Sequence, residues 1–203
     1  MRKAHAGEHA ILALQGPESG RRLARLVGAE AVRSLRYFHF IEREGMLIGR
    51  LGYSGELGYE LIVPRAEETS LRAQFSDLPT CSFQAANSLR IEAGYVLFDR
   101  EIDGRANPRE LGLERLAPGR SFAATRKLVG LEIEEGYASA DLPAARVTSQ
   151  CDSPTLKKGI ALAFAPSDTR VGDFVRVDNA YLARMVSLPF YDPDRRRPRA
   201  APL

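Results

Sequence analysis

The chain has 203 residues and a net charge of only +3, so it is long enough for two unequal domains and carries no large excess of either charge. A hydrophobic content of 44% beside 27% charged residues is typical of a globular protein with a sizeable core. No apolar run approaches the roughly 20 residues that span a bilayer, and the start lacks the apolar stretch of a signal peptide, so the sequence predicts a cytoplasmic protein without a membrane partner.

The basic residues and the possible metal ligands argue against two further classes of function. Much of the basic excess lies in one run, residues 195–199, which has no interleaved aromatic residues, so we expect a solvated tail and no nucleic-acid partner. Cys81 and Cys151 are far apart, which predicts free, partly buried thiols and no disulfide. His5 and His9 have no third ligand nearby, so we expect a flexible terminus there and no metal site.

The first half of the chain alternates short apolar runs with helical patterns, divided by glycine and proline. Residues 43–45, Arg-Glu-Gly, are typical of a hairpin turn with glycine where φ is positive. Strands are predicted at residues 10–14, 37–42, 46–51 and 59–63. Helices are predicted at residues 21–27, 66–75 and 83–93.

The second half changes to short strands, beyond a polar connection at residues 118–127. Strands are predicted at residues 129–133, 144–147, 159–164, 174–177 and 183–188. Their spacing, with turn residues between them, is typical of a small barrel or sandwich. We therefore predict an α+β fold, with an antiparallel sheet and helices in residues 1–119 and a small all-β barrel with a basic tail in residues 120–203.

Two motifs are the most informative part of the sequence. Residues 52–60, Gly-Tyr-Ser-Gly-Glu-Leu-Gly-Tyr-Glu, contain three glycines that allow a tight turn and the close approach of a flat ligand. Residues 89–94, Leu-Arg-Ile-Glu-Ala-Gly, place Arg90 on an apolar helix. A buried unpaired charge is costly, so this guanidinium needs a partner, either a ligand or an internal carboxylate such as Glu92 or Glu56.

These blocks resemble the folate-binding signature of the glycine cleavage system T-protein (aminomethyltransferase) family. Its members carry Gly-Tyr-Thr-Gly-Glu-x-Gly-Phe/Tyr-Glu and then Leu-Arg-x-Glu-Ala-Gly, and Ser54 stands where threonine is usual. Further similar blocks follow the family order over nearly the whole chain, at residues 12–17, 107–113, 128–132, 148–163 and 188–191.

The resemblance implies a cloverleaf of three domains with tetrahydrofolate in a central hole. This chain would supply the second part of the folate-binding domain and the terminal barrel. Glu60 stands where the family binds the pterin donor pair, and Tyr53 where a tyrosine lines the folate site. Arg90 would pair with the pterin carbonyl or orient Glu60, and Tyr191 would return toward the hole. Ala86 replaces an arginine found in many members, which predicts weaker binding.

Each of these residues also has a structural interpretation that the sequence leaves open. Glu60 could end its strand facing water, and Tyr53 could be a packed strand tyrosine. Arg90 could form an internal salt bridge with Glu92 or Glu56. A pterin presents an amino group and a ring N–H side by side, which one carboxylate can accept in two parallel hydrogen bonds, so the motif as a whole favours the ligand role for Glu60.

The resemblance also implies an activity in glycine catabolism. Family enzymes take an aminomethyl group from the lipoyl arm of an H-protein, release ammonia and form methylenetetrahydrofolate. The aspartate credited with this chemistry lies in a long N-terminal stretch that has no counterpart here, so no catalytic residue is predicted. We expect aminomethyl transfer only if a separately encoded N-terminal half, a possible partner beside the H-protein, completes the chain.

Two other classes of function remain open from the sequence. A folate-binding accessory protein of iron-sulfur cluster maintenance would share the fold, but that branch carries Lys-Gly-Cys-Tyr-x-Gly-Gln after the arginine block. No such motif occurs between Gly94 and Val129, which ranks this alternative second. A noncatalytic interaction module, or a truncated gene product that binds nothing, is the third possibility.

Overall fold

The computed structural model describes residues 7–177 and 181–203. The chain divides into two compact units. The first comprises the residues up to Phe83 together with Asp194–Leu203, and the second comprises Gln84–Pro193. Within the described ranges, no helix is long and apolar enough to cross a membrane.

The first unit contains four strands and three α-helices among its described residues. The strands are β1 (His9–Gln15), β2 (Phe40–Arg43), β3 (Met46–Gly49) and β4 (Gly58–Pro64). The helices are α1 (Ser19–Val27), α2 (Ala29–Ser34) and α3 (Glu68–Ala73), the last preceded by a 3₁₀ turn at Arg65–Glu67. The strands form an antiparallel sheet in the order β1-β4-β3-β2. Gly28, with φ of +88°, separates α1 from α2.

The two faces of this sheet have different environments. On the open face, Ile11, Ile62 and Leu47 lie side by side in register, and Ile11 is 62% exposed. Because successive side chains of a strand point to opposite faces, Glu60 shares this open face with Ile62. The opposite face packs on the helices, in a core that includes Leu23, Val32, Ile48, Tyr59, Leu61 and Leu71.

The second unit contains a closed barrel of five strands among its described residues. Its helix is α4 (Phe83–Glu92), of which only the first residue is assigned to the first unit. The strands are β5 (Arg126–Tyr137), β6 (Ala144–Ser153), β7 (Lys158–Pro166), β8 (Phe174–Val177) and β9 (Tyr181–Val186). They pair in the order β5-β7-β6-β8-β9, with β5 closing on β9. Among the strand pairs of the barrel that the structure describes, β6 with β8 is the parallel one.

Strand β7 explains how α4 packs on the barrel. Small side chains of β7, such as Ala161 and Ala163, belong to the core that the barrel strands share. The alternate residues Ile160 and Leu162 point to the other side, where they form a second core with Ile91 of α4. The alternation of small and large residues along one strand therefore serves both layers.

The predicted α+β class is confirmed, as an antiparallel sheet with helices followed by an all-β barrel. Sequence reasoning missed α2, which is short and begins directly after the helix-stopping Gly28. The compact units part between Phe83 and Gln84, and within the second unit α4 packs on the barrel through Ile91. A division of the chain into domains at residues 119 and 120 stays a prediction.

One buried polar group of the first unit generates a stability prediction. Tyr59 is fully buried, and its hydroxyl has no hydrogen-bond partner among the described residues. Burial also raises the pKa of this phenol. Because an unsatisfied buried polar group destabilises a fold, Tyr59→Phe should raise the free energy of unfolding by up to about 1 kcal/mol in urea denaturation.

Tyr53→Phe is the matched control, since the Tyr53 side chain is 42% exposed and its hydroxyl can bond water. This variant should unfold at the same urea concentration as the parent chain. A clear loss of stability in Tyr59→Phe would mean that its hydroxyl makes a hydrogen bond in solution, and the prediction would be wrong.

Candidate functional site

The side chain of Gln15, at the end of β1, is the centre of the first motif. We call residues 50–57, which join β3 to β4, the glycine-rich loop. The Nε2 of Gln15 donates to the carbonyl oxygens of Leu51 at 3.4 Å and Tyr59 at 3.3 Å. Its Oε1 accepts from Ser54 Oγ at 2.8 Å. One amide thus contacts the start of the loop, its middle and the strand that follows it.

Two glycines of the motif make room for this amide. A Cβ on Gly52 or Gly58 would overlap the amide atoms of Gln15. Gly55 has a different task, since its φ of +77° lies in the left-handed region that the turn requires. The sequence predicts that the glycines admit a flat ligand, but the group that approaches Gly52 and Gly58 is the Gln15 side chain. Sequence reasoning missed this role, although Gln15 lies in the family-like block at residues 12–17, Leu-Ala-Leu-Gln-Gly-Pro, which we call the Gln-Gly-Pro block.

Glu60 is a half-buried carboxylate in the middle of the open face. Its cross-strand neighbours are Ala13 and Gly49, which have little or no side chain. The carboxylate accepts no hydrogen bond from any residue in the described ranges. Burial raises the pKa of this carboxyl above its ordinary value of 4.5. Such a group can accept two parallel N–H donors from a flat ligand.

Tyr53 lies in the glycine-rich loop and not in a strand. Its side chain is 42% exposed, so it is not the packed strand tyrosine that the sequence left open. An exposed ring with a hydroxyl can stack on a flat ligand and still form a hydrogen bond. Tyr53 and Glu60 both belong to the first unit, the first within the loop and the second on the strand that follows it.

Arg90 is buried in the second unit, with its side chain only 1% exposed. Its guanidinium lies 2.9 Å from Glu101 Oε2, so its internal partner is Glu101 and not Glu92 or Glu56. Further hydrogen bonds run to Asn87 Oδ1 at 2.8 Å, to the carbonyl oxygen of Tyr95 at 3.1 Å and to Ser149 Oγ at 2.5 Å. These contacts use four of the five N–H groups that an arginine carries.

A β-bulge in β6 completes the surroundings of Glu101. The register of β6 on β7 shifts between Val147 and Ser149, so two consecutive side chains reach the same carboxylate. Thr148 Oγ1 donates to Glu101 Oε1 at 2.7 Å, and Ser149 Oγ donates to it at 2.6 Å. Burial opposes the charge, but these hydroxyls, the Leu97 N–H and Arg90 outweigh it and lower the pKa of Glu101.

Glu92 holds the other end of the second motif in the same unit. It is fully buried and accepts hydrogen bonds from the hydroxyl of Ser153 and from the backbone N–H and hydroxyl of Thr155. Both charged residues of the motif therefore fix α4 and its following turn to the barrel. For Arg90, which the sequence predicts to lie beside a ligand, this is a structural use, and its contact with folate stays a prediction.

Tyr191 is half-buried in the second unit, and its ligand role stays a prediction. The preceding residue, Phe190, donates its backbone N–H to the carbonyl oxygen of Glu92 at 3.0 Å. Cys151 is half-buried and Cys81 is exposed, and both thiols are free. His9 begins β1, whereas His5 lies outside the described residues. No cluster of three metal-ligating side chains occurs in the described parts of the chain.

Comparison with known proteins adds two family matches. Residues 3–118 match the model of the GCVT N-terminal domain. Residues 126–192 match the glycine cleavage T-protein C-terminal barrel domain. The two matches together cover most of the chain, in the order in which the sheet and the barrel occur.

Individual relatives agree with these matches. The chain is 34% identical to an aminomethyltransferase of Rubrobacter xylanophilus over 94% of its own length and 59% of the relative's. It is 35% identical to an aminomethyltransferase of Methylococcus capsulatus over 79% of its length and 51% of the relative's. The crystal structure of the glycine cleavage system aminomethyltransferase T from Bartonella henselae has the same fold, with a TM-score of 0.77 at 23% identity, over 91% of this chain and 60% of that one. The chain therefore spans at most about three fifths of these relatives, and it belongs to the glycine cleavage T-protein family.

Proposed function

We propose that this protein binds tetrahydrofolate on the open face of its first sheet. Glu60 accepts the pterin amino group and the neighbouring ring N–H in two parallel hydrogen bonds. The observation that carries the proposal is the Glu60 carboxylate itself, which is half-buried and has no hydrogen-bond donor among the described residues. Such a group is destabilised until it is paired, so a ligand with two adjacent donors gains from binding it.

The residues around Glu60 support a flat and partly apolar ligand. Ala13 places only a methyl group beside the carboxylate, and the apolar side chain of Leu51 packs over Gly49 on the other side. Ile62 lies two residues further along β4 on the same face, and Ile11 beside it is largely exposed. Tyr53 adds an exposed aromatic ring from the loop that precedes the strand. We therefore assign the contacts to the pterin ring to this face.

We further propose that the bound folate receives a one-carbon unit, in keeping with the aminomethyltransferases to which the chain is similar. The donor is an aminomethyl group on the lipoyl arm of an H-protein, ammonia leaves, and methylenetetrahydrofolate forms in the cytoplasm as part of glycine catabolism. The chain spans about 60% of the length of such relatives. We therefore propose this activity for the chain combined with a segment that corresponds to the rest of the relatives' sequence. The part of the activity that we assign to the described residues is folate binding.

The first test of this proposal is calorimetric titration with tetrahydrofolate. Glu60→Gln keeps the shape but replaces one acceptor with a donor that faces a donor. Losing a hydrogen bond to a charged group costs about 1.5 to 3 kcal/mol, so the affinity should fall roughly ten- to a hundredfold. Glu42→Gln is the matched control, since Glu42 lies on the same face of the sheet but is exposed on the edge strand β2.

Two outcomes would contradict the proposal. If the unmutated chain does not bind tetrahydrofolate, this chain does not bind folate by itself. If Glu60→Gln and Glu42→Gln bind equally well, Glu60 is not the residue that accepts the pterin donors.

A second prediction follows from the raised pKa of Glu60, and it needs no ligand. Between the ordinary value of 4.5 and the raised value, the folded chain binds the Glu60 proton more tightly than the unfolded chain. Stability therefore falls as the pH rises through this window, and the penalty is absent below it. Glu60→Gln, which is always neutral, should gain free energy of unfolding relative to the parent chain when urea denaturation is moved from about pH 4 to about pH 7. An equal difference at both pH values would mean that burial does not oppose the charge.

A third prediction separates the structural and the ligand role of Arg90. Arg90→Ala and Glu101→Gln each break the same buried ion pair, so each should lower the free energy of unfolding by about 3 to 5 kcal/mol. Both variants are then compared for tetrahydrofolate affinity under conditions in which circular dichroism shows that they are folded. Since the Arg90 guanidinium already has hydrogen-bond partners within its unit, we expect the two variants to bind tetrahydrofolate with similar affinities. A much larger loss in Arg90→Ala would establish a direct contact with folate.

A further inference from the structure

We propose that the C-terminal segment, residues 194–203, is a strap that fixes the glycine-rich loop, and that Arg197 is the positioning residue through which it acts. The inference rests on the proposed function, because the loop carries Tyr53 and leads into Glu60. The segment lies beyond residues 126–192, which match the barrel domain of the family. It was predicted to be a solvated tail, but it packs with the first unit.

The strap meets the turn of the loop through an ion pair. Arg197 Nη1 lies 2.6 Å from Glu56 Oε1, across 141 residues of sequence. The Glu56 side chain is only 17% exposed, whereas that of Arg197 is 56% exposed. The pair therefore joins a mostly buried carboxylate of the loop to a guanidinium that reaches it from the surface. Ion pairs of this kind are screened less by water than fully exposed ones.

Two further contacts anchor the strap, one at Arg50, the first residue of the loop, and one at α1. Arg50 is buried and donates to the carbonyl oxygen of Ala200 at 2.6 Å and to that of Leu35 at 3.1 Å. A Cβ on Gly20 of α1 would overlap the carbonyl of Pro202, so the segment is seated closely on this helix. The backbone of the strap is thus held at Ala200 and at Pro202, which both follow Arg197 in the sequence. Because the strap is anchored, the ion pair with Arg197 also restricts the position of Glu56.

The loop needs such a contact on its outer side. Gln15 holds its inner side through Leu51, Ser54 and Tyr59, as described above. Between these points the chain turns at Gly55, a residue whose backbone loses more conformational freedom on ordering than any other. Glu56 follows directly after this turn. An ion pair at Glu56 limits the motion of the turn and, with it, the position of the Tyr53 ring.

The test combines a double-mutant cycle with hydrogen exchange. Arg197→Ala, Glu56→Gln and the double variant are made in the full chain, and amide exchange is followed by mass spectrometry in peptides that cover residues 51–58. Each single variant should raise the exchange rate there about three- to tenfold. This change corresponds to a free-energy cost between that of losing an exposed ion pair and that of losing a buried charged partner. The double variant should exceed neither single variant, because both remove one interaction. Arg197→Lys should restore most of the protection, since it keeps the charge.

Arg196→Ala is the matched control. It removes the same charge from the neighbouring position, where the partner is Asp194 and the two side chains are 82% and 63% exposed. This variant should leave exchange in the loop unchanged. Equal exchange in Arg197→Ala and the parent chain, or additive effects in the double variant, would overturn the strap.

The same variants are titrated with tetrahydrofolate, which separates the two proposals. Arg197→Ala should weaken binding about three- to tenfold if the loop positions Tyr53. If Arg197→Ala raises exchange in the loop but the parent chain does not bind tetrahydrofolate, the strap is supported and the proposed function is refuted. Binding that depends on Glu60 but is the same in Arg197→Ala, with unchanged exchange, would refute the strap and leave the proposed function standing.

Discussion

The position of the Gln15 amide is the constraint on which the candidate site depends. A single side chain donates to two carbonyl groups and accepts from the Ser54 hydroxyl, and it occupies the space that two glycines leave empty. The glycine-rich motif and the Gln-Gly-Pro block are therefore two halves of one packing arrangement. Because the loop is fixed in this way, β4 begins at Gly58 in a defined register, and Glu60 comes to lie on the open face of the sheet.

Glu60 and Arg90 are charged side chains that are shielded from water, and they differ in whether the protein supplies a partner for the charge. Arg90 has a carboxylate partner and three further acceptors within its own unit, so no ligand is needed to stabilise it. Glu60 has no donor among the described residues, and burial disfavours its charge. A protein that only needed a stable fold would gain from an apolar residue at this position. The unpaired carboxylate is therefore the stronger sign of a ligand, although both residues stand in the family motifs.

The sequence predicted the strands and the barrel because alternation along a strand and turn residues are local signals. It also pointed to Glu60, whose motif is specific. It did not predict Glu101 as the partner of Arg90, since that contact depends on a bulge that turns Thr148 and Ser149 to one side. Nor did it predict the place of Arg197, because nothing local in an arginine-rich run distinguishes a docked segment from a free one. Such contacts are decided by packing between distant parts of the chain.

The docking of residues 194–203 has a consequence for synthesis of the protein. Arg50 and Glu56 of the first unit precede their partners Ala200 and Arg197 by 150 and 141 residues, so the first unit lacks residues 194–203 until the barrel sequence has been translated. A nascent chain can form the sheet and the α1 and α2 helices early, because their contacts are closer in sequence. The glycine-rich loop then receives its outer support only after residues 194–203 have left the ribosome, which makes the fixing of Glu56 a late event in the folding of this unit.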